Sequence, residues 1–215
     1  MDRKLFLMRV VPLMALVLGI AGVVIAINSG GTEGSATGFT QEELAAGERC
    51  LDLDTLIEDA PGGTYGDYAG ARSMQELVAW SPIIVRGTVV AQTGPVETTF
   101  PVRQPPVYVV STVQVIEVLK GDLQESQITI GHMWDGSHPA LPVGCEAMVF
   151  MREVDSPYGN DYTAINGPQG EFAIALDQVS PMSPGRFDMT QQYRGMSKEL
   201  FLHEVREAIA LSGGQ

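Results

Sequence analysis

Residues 107–119 read VYVVSTVQVIEVL, the longest run of β-forming residues in the chain. Side chains branched at Cβ, together with tyrosine, favour an extended, pleated backbone over a helix. In simple alternation Val107, Val109, Val113 and Val115 share one face, and Tyr108, Val110, Ile116 and Val118 share the other. A strand that is apolar on both faces is expected to coil through a small barrel and to be covered outside by helix or loop.

Reading outward, the turn Lys120-Gly121-Asp122 leads into residues 127–131 (QITIG), which predicts a hairpin. Upstream lie a proline-rich loop over 92–106 and a β-branched strand over 83–91 (IIVRGTVVA). Before these, Ser73 with Glu76 forms a capping box that opens a two-turn helix, stopped by Ser81-Pro82, and earlier still Thr40 with Glu43 forms another that leads into a short helix over QEELAAGERC. Downstream, 146–153 (EAMVFMRE) and 161–165 (DYTAI) flank a turn at 156–160, and 171–176 (EFAIAL) follows a glycine corner. Ser197 caps a final helix over 198–211, with Leu200, Phe201, Val205, Ala208 and Ile209 as its apolar stripe. The expected fold is mainly β: a small closed barrel of five to six strands with a short preceding helix and a C-terminal helix.

The runs ELVAWSPIIVRGTVV, VIEVLKG, VGCEAMVFM and GPQGEF resemble bacterial extracytoplasmic domains with an oligonucleotide/oligosaccharide-binding (OB) type barrel. Those domains are similar in architecture to the netrin-like module of tissue inhibitors of metalloproteinases. The resemblance covers residues 73–176 and the closing helix, and its motifs are structural, so it implies a fold and not an activity. The animal inhibitors resemble one another through an amino-terminal cysteine and several disulfides. This chain has two cysteines and a tethered amino terminus.

The amino-terminal segment sets the expected compartment. Arg3, Lys4 and Arg9 precede eighteen uncharged residues, 10–27 (VVPLMALVLGIAGVVIAI). As a helix these span about 27 Å of a roughly 30 Å hydrocarbon layer. The run is longer than the apolar part of a signal peptide and ends in Ile27-Asn28, a poor cleavage context, so an uncleaved anchor is favoured over a cleaved signal. The basic residues before it place the amino terminus in the cytoplasm and the remainder outside. Ala15, Gly19, Gly22 and Ala26 recur at helical spacing, a face on which a second membrane helix could approach closely. The expected order is a cytoplasmic tip over 1–9, the transmembrane anchor over 10–27, a flexible tether with an acidic segment over 28–72, and the barrel domain over 73–212.

Charge narrows the partners. The chain of 215 residues carries 13 basic and 26 acidic side chains, a net charge of −13. Removing Asp2, Arg3, Lys4 and Arg9 leaves 10 basic against 25 acidic residues and −15 on the external part. Nucleic acid is excluded as a partner, because phosphate neutralisation needs clustered Lys and Arg. Asp52, Asp54, Glu58 and Asp59 lie close together but lack the glycine and terminal glutamate of a calcium loop, so they read as a solvated acidic face.

Chemistry concentrates in two places. Cys50 and Cys145, both external by the topology above, are expected to pair in an oxidising compartment, with separate thiols or a bond to a partner protein as the other outcomes. Closing the 95-residue separation would constrain the unfolded chain by about 4.6 kcal/mol in the entropic treatment. The stretch 131–144 (GHMWDGSHPALPVG) is expected to be an exposed loop. There His132, His138 and Met133 offer nitrogen and sulfur to copper or zinc, although their spacing matches no familiar signature. Otherwise Met133 and Trp134 plug the loop and the histidines are solvated, or Trp134 stacks on a ligand. No nucleophile elbow, paired-histidine protease helix, phosphate loop or dinucleotide fingerprint is present, and Ser137-His138 lacks an orienting carboxylate. The expectation is a non-catalytic protein without a cofactor, anchored to the membrane. Its external domain binds a protein or small ligand through the acidic segment and the loops at 92–106 and 131–144.

Overall fold

The computed structural model describes residues 40–51, 70–97, 107–134, 140–183 and 189–213. The expected anchor with Ala15, Gly19, Gly22 and Ala26, the tether, and the acids at 52–59 lie outside the described residues. Among the described residues no helix is long and apolar enough to cross a membrane.

Among the described residues seven strands form one sheet: β1 (Ile83–Glu97), β2 (Val107–Lys120), β3 (Gln127–Trp134), β4 (Glu146–Glu153), β5 (Tyr162–Ala164), β6 (Glu171–Ala175) and β7 (Gln178–Pro181). Their order is β1-β2-β3-β5-β4-β6-β7, and β1 also pairs with β4. That extra pairing closes five strands into a barrel compatible with an OB-type one, with β3 and β5 parallel and the other ladders antiparallel. Both expected hairpins form, β2 with β3 and β4 with β5. β7 was not legible, because Gln178-Val179-Ser180-Pro181 is short and ends in proline.

Two apolar cores share this sheet. The inner one fills the barrel with Ile83, Val85, Val89, Val113, Ile128, Ile130, Val149, Met151 and Met182 among others. The outer one lies between the barrel wall and the helices α2 (Met74–Trp80) and α3 (Lys198–Ser212). Met148, Phe150, Phe172 and Ile174 supply the wall, Leu77 and Val78 come from α2, and Phe201, Leu202, Val205 and Ala208 come from α3. The strand covered on both faces is therefore β4, where five consecutive residues, Ala147 to Met151, are buried.

β2 behaves otherwise than its alternation predicts. Arg86 stands opposite Glu117 and Gly87 opposite Val115, so Ile116 is an extra, bulged residue and is 50% exposed. Past the bulge the alternation reverses, and Val118 joins Val115 against the inner core. Val90 is the matching extra residue on β1 and is 43% exposed. These bulges coil the long hairpin around the barrel. Gly87 permits the close crossing, since a Cβ there would lie 2.5 Å from Val113 Cγ1 and 2.6 Å from the Gln114 carbonyl.

The helices begin where their caps predict. Thr40 and Glu43 bond reciprocally at the start of α1 (Gln41–Leu51), Ser73 accepts from the Glu76 amide, and Ser197 accepts from the Leu200 amide. Leu202 takes the place expected for Leu200, which is 48% exposed. The stripe that meets the barrel is rotated by part of a turn, so that Phe201 enters the aromatic cluster of Phe150, Phe172 and Tyr193. Between α3 and the barrel, Arg86 contacts Glu117 at 3.2 Å and Glu146 at 2.9 Å. Arg206 contacts Glu117 at 2.9 Å and Lys198 contacts Glu146 at 2.8 Å, so the helix is tied to the same charge network at its first residue and near its middle. The hydrogen bond from Arg206 holds the Glu117 carboxyl below its usual range against partial burial, with Arg86 adding to it.

Burial, reinforced by the charge of Glu204, pushes Tyr193 up to about 12. The folded state keeps its phenol neutral while an unfolded tyrosine ionises near 10. Its contribution to stability is thus complete below pH ~10 and is lost as pH rises from there towards the folded value. In a spectrophotometric titration at 295 nm one tyrosine is expected to ionise last, near pH 12, and Tyr193→Phe is expected to remove that step.

α1 belongs to the same compact unit as the barrel. The reason is a disulfide between Cys50 of α1 and Cys145, just before β4. Both cysteines are buried, and Gly47 of α1 lies directly on the Leu176 side chain at the β6–β7 turn. The short helix expected after Thr40 is present and is bolted to the barrel by this disulfide.

Candidate functional site

The barrel has two mouths. The ends of β1 and β3 point to the upper one, and the connections β2–β3 and β4–β5 lie at the lower one.

The upper mouth holds the histidine expected in an exposed loop. β3 extends to Trp134, so His132, Met133 and Trp134 lie on a strand, with Val109, Tyr108 and Val107 of β2 as their register partners. His132 is buried: its Nδ1 stands 2.6 Å from Glu171 Oε1, and the two side chains are 8% and 4% exposed. The solvated-histidine expectation therefore fails at this position. The physical reason lies in the sheet. The β3–β5 ladder ends at Gly131 opposite Thr163, and the next residue, His132, bridges to the first residue of β6. A side-chain hydrogen bond thus closes the barrel wall where the backbone ladder stops. His132 Nε2 is buried with no hydrogen-bond partner among the described residues. His138 and the side chains of Met133 and Trp134 lie outside the described residues, and no group of three metal-ligating residues converges among those described.

Next to this pair, residues 140–145 strap across β1. Gly144 donates to the Val89 carbonyl at 2.7 Å and Val89 donates to the Cys145 carbonyl at 2.9 Å. Gln92 Nε2 donates to the Leu141 carbonyl at 2.6 Å and to Ser111 Oγ at 3.2 Å. The disulfide therefore anchors α1 at the base of this strap.

The lower mouth is chemically different, and its residues did not stand out in the sequence. Glu125, Gln127, Ile128, Glu153, Val154, Asp161 and Tyr162 line an open cleft of about 310 Å³. Ile128 and Tyr162 belong to the inner core and make its floor. Three carboxylates stand on its rim, and none has a Lys or Arg within ion-pair distance among the described residues. Asp161 is held from one side only, by Thr129 Oγ1 donating to Oδ2 at 2.7 Å. Burial first, then Glu125, Glu153 and Asp161, push the Tyr162 phenol up. The sequence signal was weak because the three acids come from separate segments, each near a turn where an exposed acid is ordinary.

A second cleft of about 270 Å³ lies on the outer side between Trp80, Pro82, Arg152, Ile165 and Asn166. No family model matches the chain, and no curated protein matches it. Any functional reading rests on the geometry above.

Proposed function

We propose that this chain is a membrane-anchored extracytoplasmic protein whose barrel is a non-catalytic binding domain for a protein partner or small ligand. The observation that carries the reading is the filled barrel. Its interior is packed with aliphatic side chains, and the clefts are open and lie at its surface, so recognition falls to mouths and loops and not to an enclosed reaction chamber. Two supporting features fit an external location: a disulfide, which persists in oxidising compartments, and the apolar segment over 10–27 behind three basic residues. The strand order with parallel β3 and β5 is compatible with an OB-type barrel, and the closer likeness to extracytoplasmic domains of netrin-like architecture belongs to this proposal.

A second reading is favoured by one observation. Metal-bound histidines commonly donate their other ring nitrogen to a carboxylate, and His132 has that arrangement with Glu171 while Nε2 is unfilled. In this reading His132 binds copper or zinc together with His138 and Met133.

One experiment separates the readings. The full-length protein is cross-linked in envelope membranes and the products are identified, while parallel detergent-solubilised samples are titrated calorimetrically with Cu²⁺ and Zn²⁺ and screened against hydrolase substrates. A reproducible cross-linked partner, lost when excess unlabelled protein competes, is the expected result. Turnover in the screen overturns the non-catalytic reading, and stoichiometric metal uptake abolished by His132→Gln establishes the second.

A further inference from the structure

The cleft of about 270 Å³ on the outer side brings together two groups that the fold leaves unused. Arg152 of β4 is exposed and, unlike Arg86, Lys198 and Arg206, has no carboxylate within ion-pair distance among the described residues. Trp80, the last residue of α2, is 40% exposed, whereas Met74, Leu77 and Val78 of the same helix are buried in the outer core. An unpaired arginine is ordinary on a surface, and so is a single exposed aromatic ring. Here both line one concave site whose other walls, Pro82 and Ile165, are apolar. Those walls are held in place. Arg152 occupies a ladder position opposite Thr163, and the Ile165 amide donates to the Phe150 carbonyl at 2.8 Å. Asn166 Nδ2 donates to Gln169 Oε1 at 3.1 Å, and Gln169 in turn bonds both backbone groups of Ala71 just before α2. A ligand therefore meets a site that is already shaped, which lowers the cost of ordering it.

We propose that this cleft binds a small free monocarboxylic acid with an aromatic or branched aliphatic body, the body lying against Trp80, Pro82 and Ile165 and the carboxylate pairing with Arg152. The planar guanidinium fork matches a carboxylate through two parallel hydrogen bonds. Local charge favours an anion: Lys120, on the other side of β1 from β4, donates to the Val78 carbonyl at 2.6 Å and also lacks a carboxylate partner among the described residues. Total charge limits it to one. A chain of net charge −13 repels a polyanion, so a single carboxylate is accepted and the apolar body supplies the remaining affinity. Size points the same way, because the cleft lies just below the roughly 300–1,000 Å³ of pockets for drug-sized ligands and therefore fits a compact one. Such a ligand rests on the binding reading above and gives it a chemical class. A missing cross-linked partner would leave carboxylate binding untouched, so the two fail separately.

The test is calorimetric titration of the full-length protein in neutral detergent with 3-phenylpropanoate and with 4-methylpentanoate. Comparison probes are 3-phenylpropanamide, tripolyphosphate and an acetylated tripeptide ending in phenylalanine with a free carboxylate. Saturable binding of at least one of the two acids at one per chain is expected, with the amide at least about tenfold weaker. Arg152→Gln is expected to weaken acid binding about tenfold, the loss of one charge-assisted pair. Trp80→Ala is expected to weaken it by a similar factor through lost apolar contact. Thermal midpoints confirm that each variant folds. Absence of saturable binding by both acids, equal affinity for the amide, or an affinity unchanged in the Trp80→Ala/Arg152→Gln double variant overturns the proposal. Tighter binding of tripolyphosphate overturns the single-carboxylate assignment, and tighter binding of the tripeptide overturns the free acid in favour of a polypeptide terminus.

Discussion

Replacing Cys50 and Cys145 with serine is expected to lower the unfolding free energy by about 4–5 kcal/mol, the largest effect of any small change in this chain. The bond spans a sequence separation of 95 residues, so its loss frees a long loop in the unfolded ensemble. The folded state loses something as well. α1 has 11 residues, too few to be stable as an isolated helix, and it is held against the β6–β7 turn by Gly47 and Cys50. Without the disulfide α1 is expected to detach while the barrel persists. Urea denaturation of oxidised and reduced protein, with amide exchange read separately on 41–51, checks both parts. An unchanged urea midpoint on reduction would refute the constraint, and retained protection in α1 would refute the detachment.

Breaking the pair at the upper mouth is expected to be almost as costly. His132→Leu leaves the Glu171 carboxylate buried without its partner, for which about 3–5 kcal/mol is typical. The reverse change, Glu171→Leu, strands a buried imidazole. Replacing both by leucine removes the polar pair together, and the double variant is expected to recover most of the loss, because an apolar pair incurs no desolvation penalty. A double-mutant cycle by chemical denaturation measures the coupling. If His132→Leu alone stays within about 1 kcal/mol of the parent, the pair does not close the barrel wall in the energetic sense argued above.

Much of the fold was legible along the chain. Both hairpins, the capping residues Thr40, Ser73 and Ser197, and β4 over 146–153 follow from local chemistry: branched residues, tight turns, and hydroxyls that satisfy the first helical amides. Local patterns failed where the barrel bends. Strict alternation does not anticipate the bulges at Val90 and Ile116, so the faces of β2 were misassigned beyond Val115. The end of β3 was placed too early, at Gly131. A glycine there reads as a turn, yet it is needed because a Cβ would collide with the Tyr108 hydroxyl and the Asn160 amide.

The candidate sites divide in the same way. The Cys50–Cys145 pairing was the favoured expectation from the number of cysteines and their compartment, and the bond is present. The His132–Glu171 pair could not be read, since the two residues are far apart in sequence and meet only because β6 takes over the edge of β4 above β5. The lower mouth was partly hidden: the β4–β5 hairpin sets Glu153 beside Asp161, but Glu125 joins them only because β3 pairs with β5.

By itself the sequence determined the strands, the helix starts, the acidic balance and the chemistry available to the two cysteines, because each depends on neighbours within a few residues or on composition. Tertiary structure alone decided which faces are buried, which histidine is enclosed and which acids share a cleft. Those properties depend on how a sheet bulges and closes on itself, and barrel closure joins residues that the chain keeps apart.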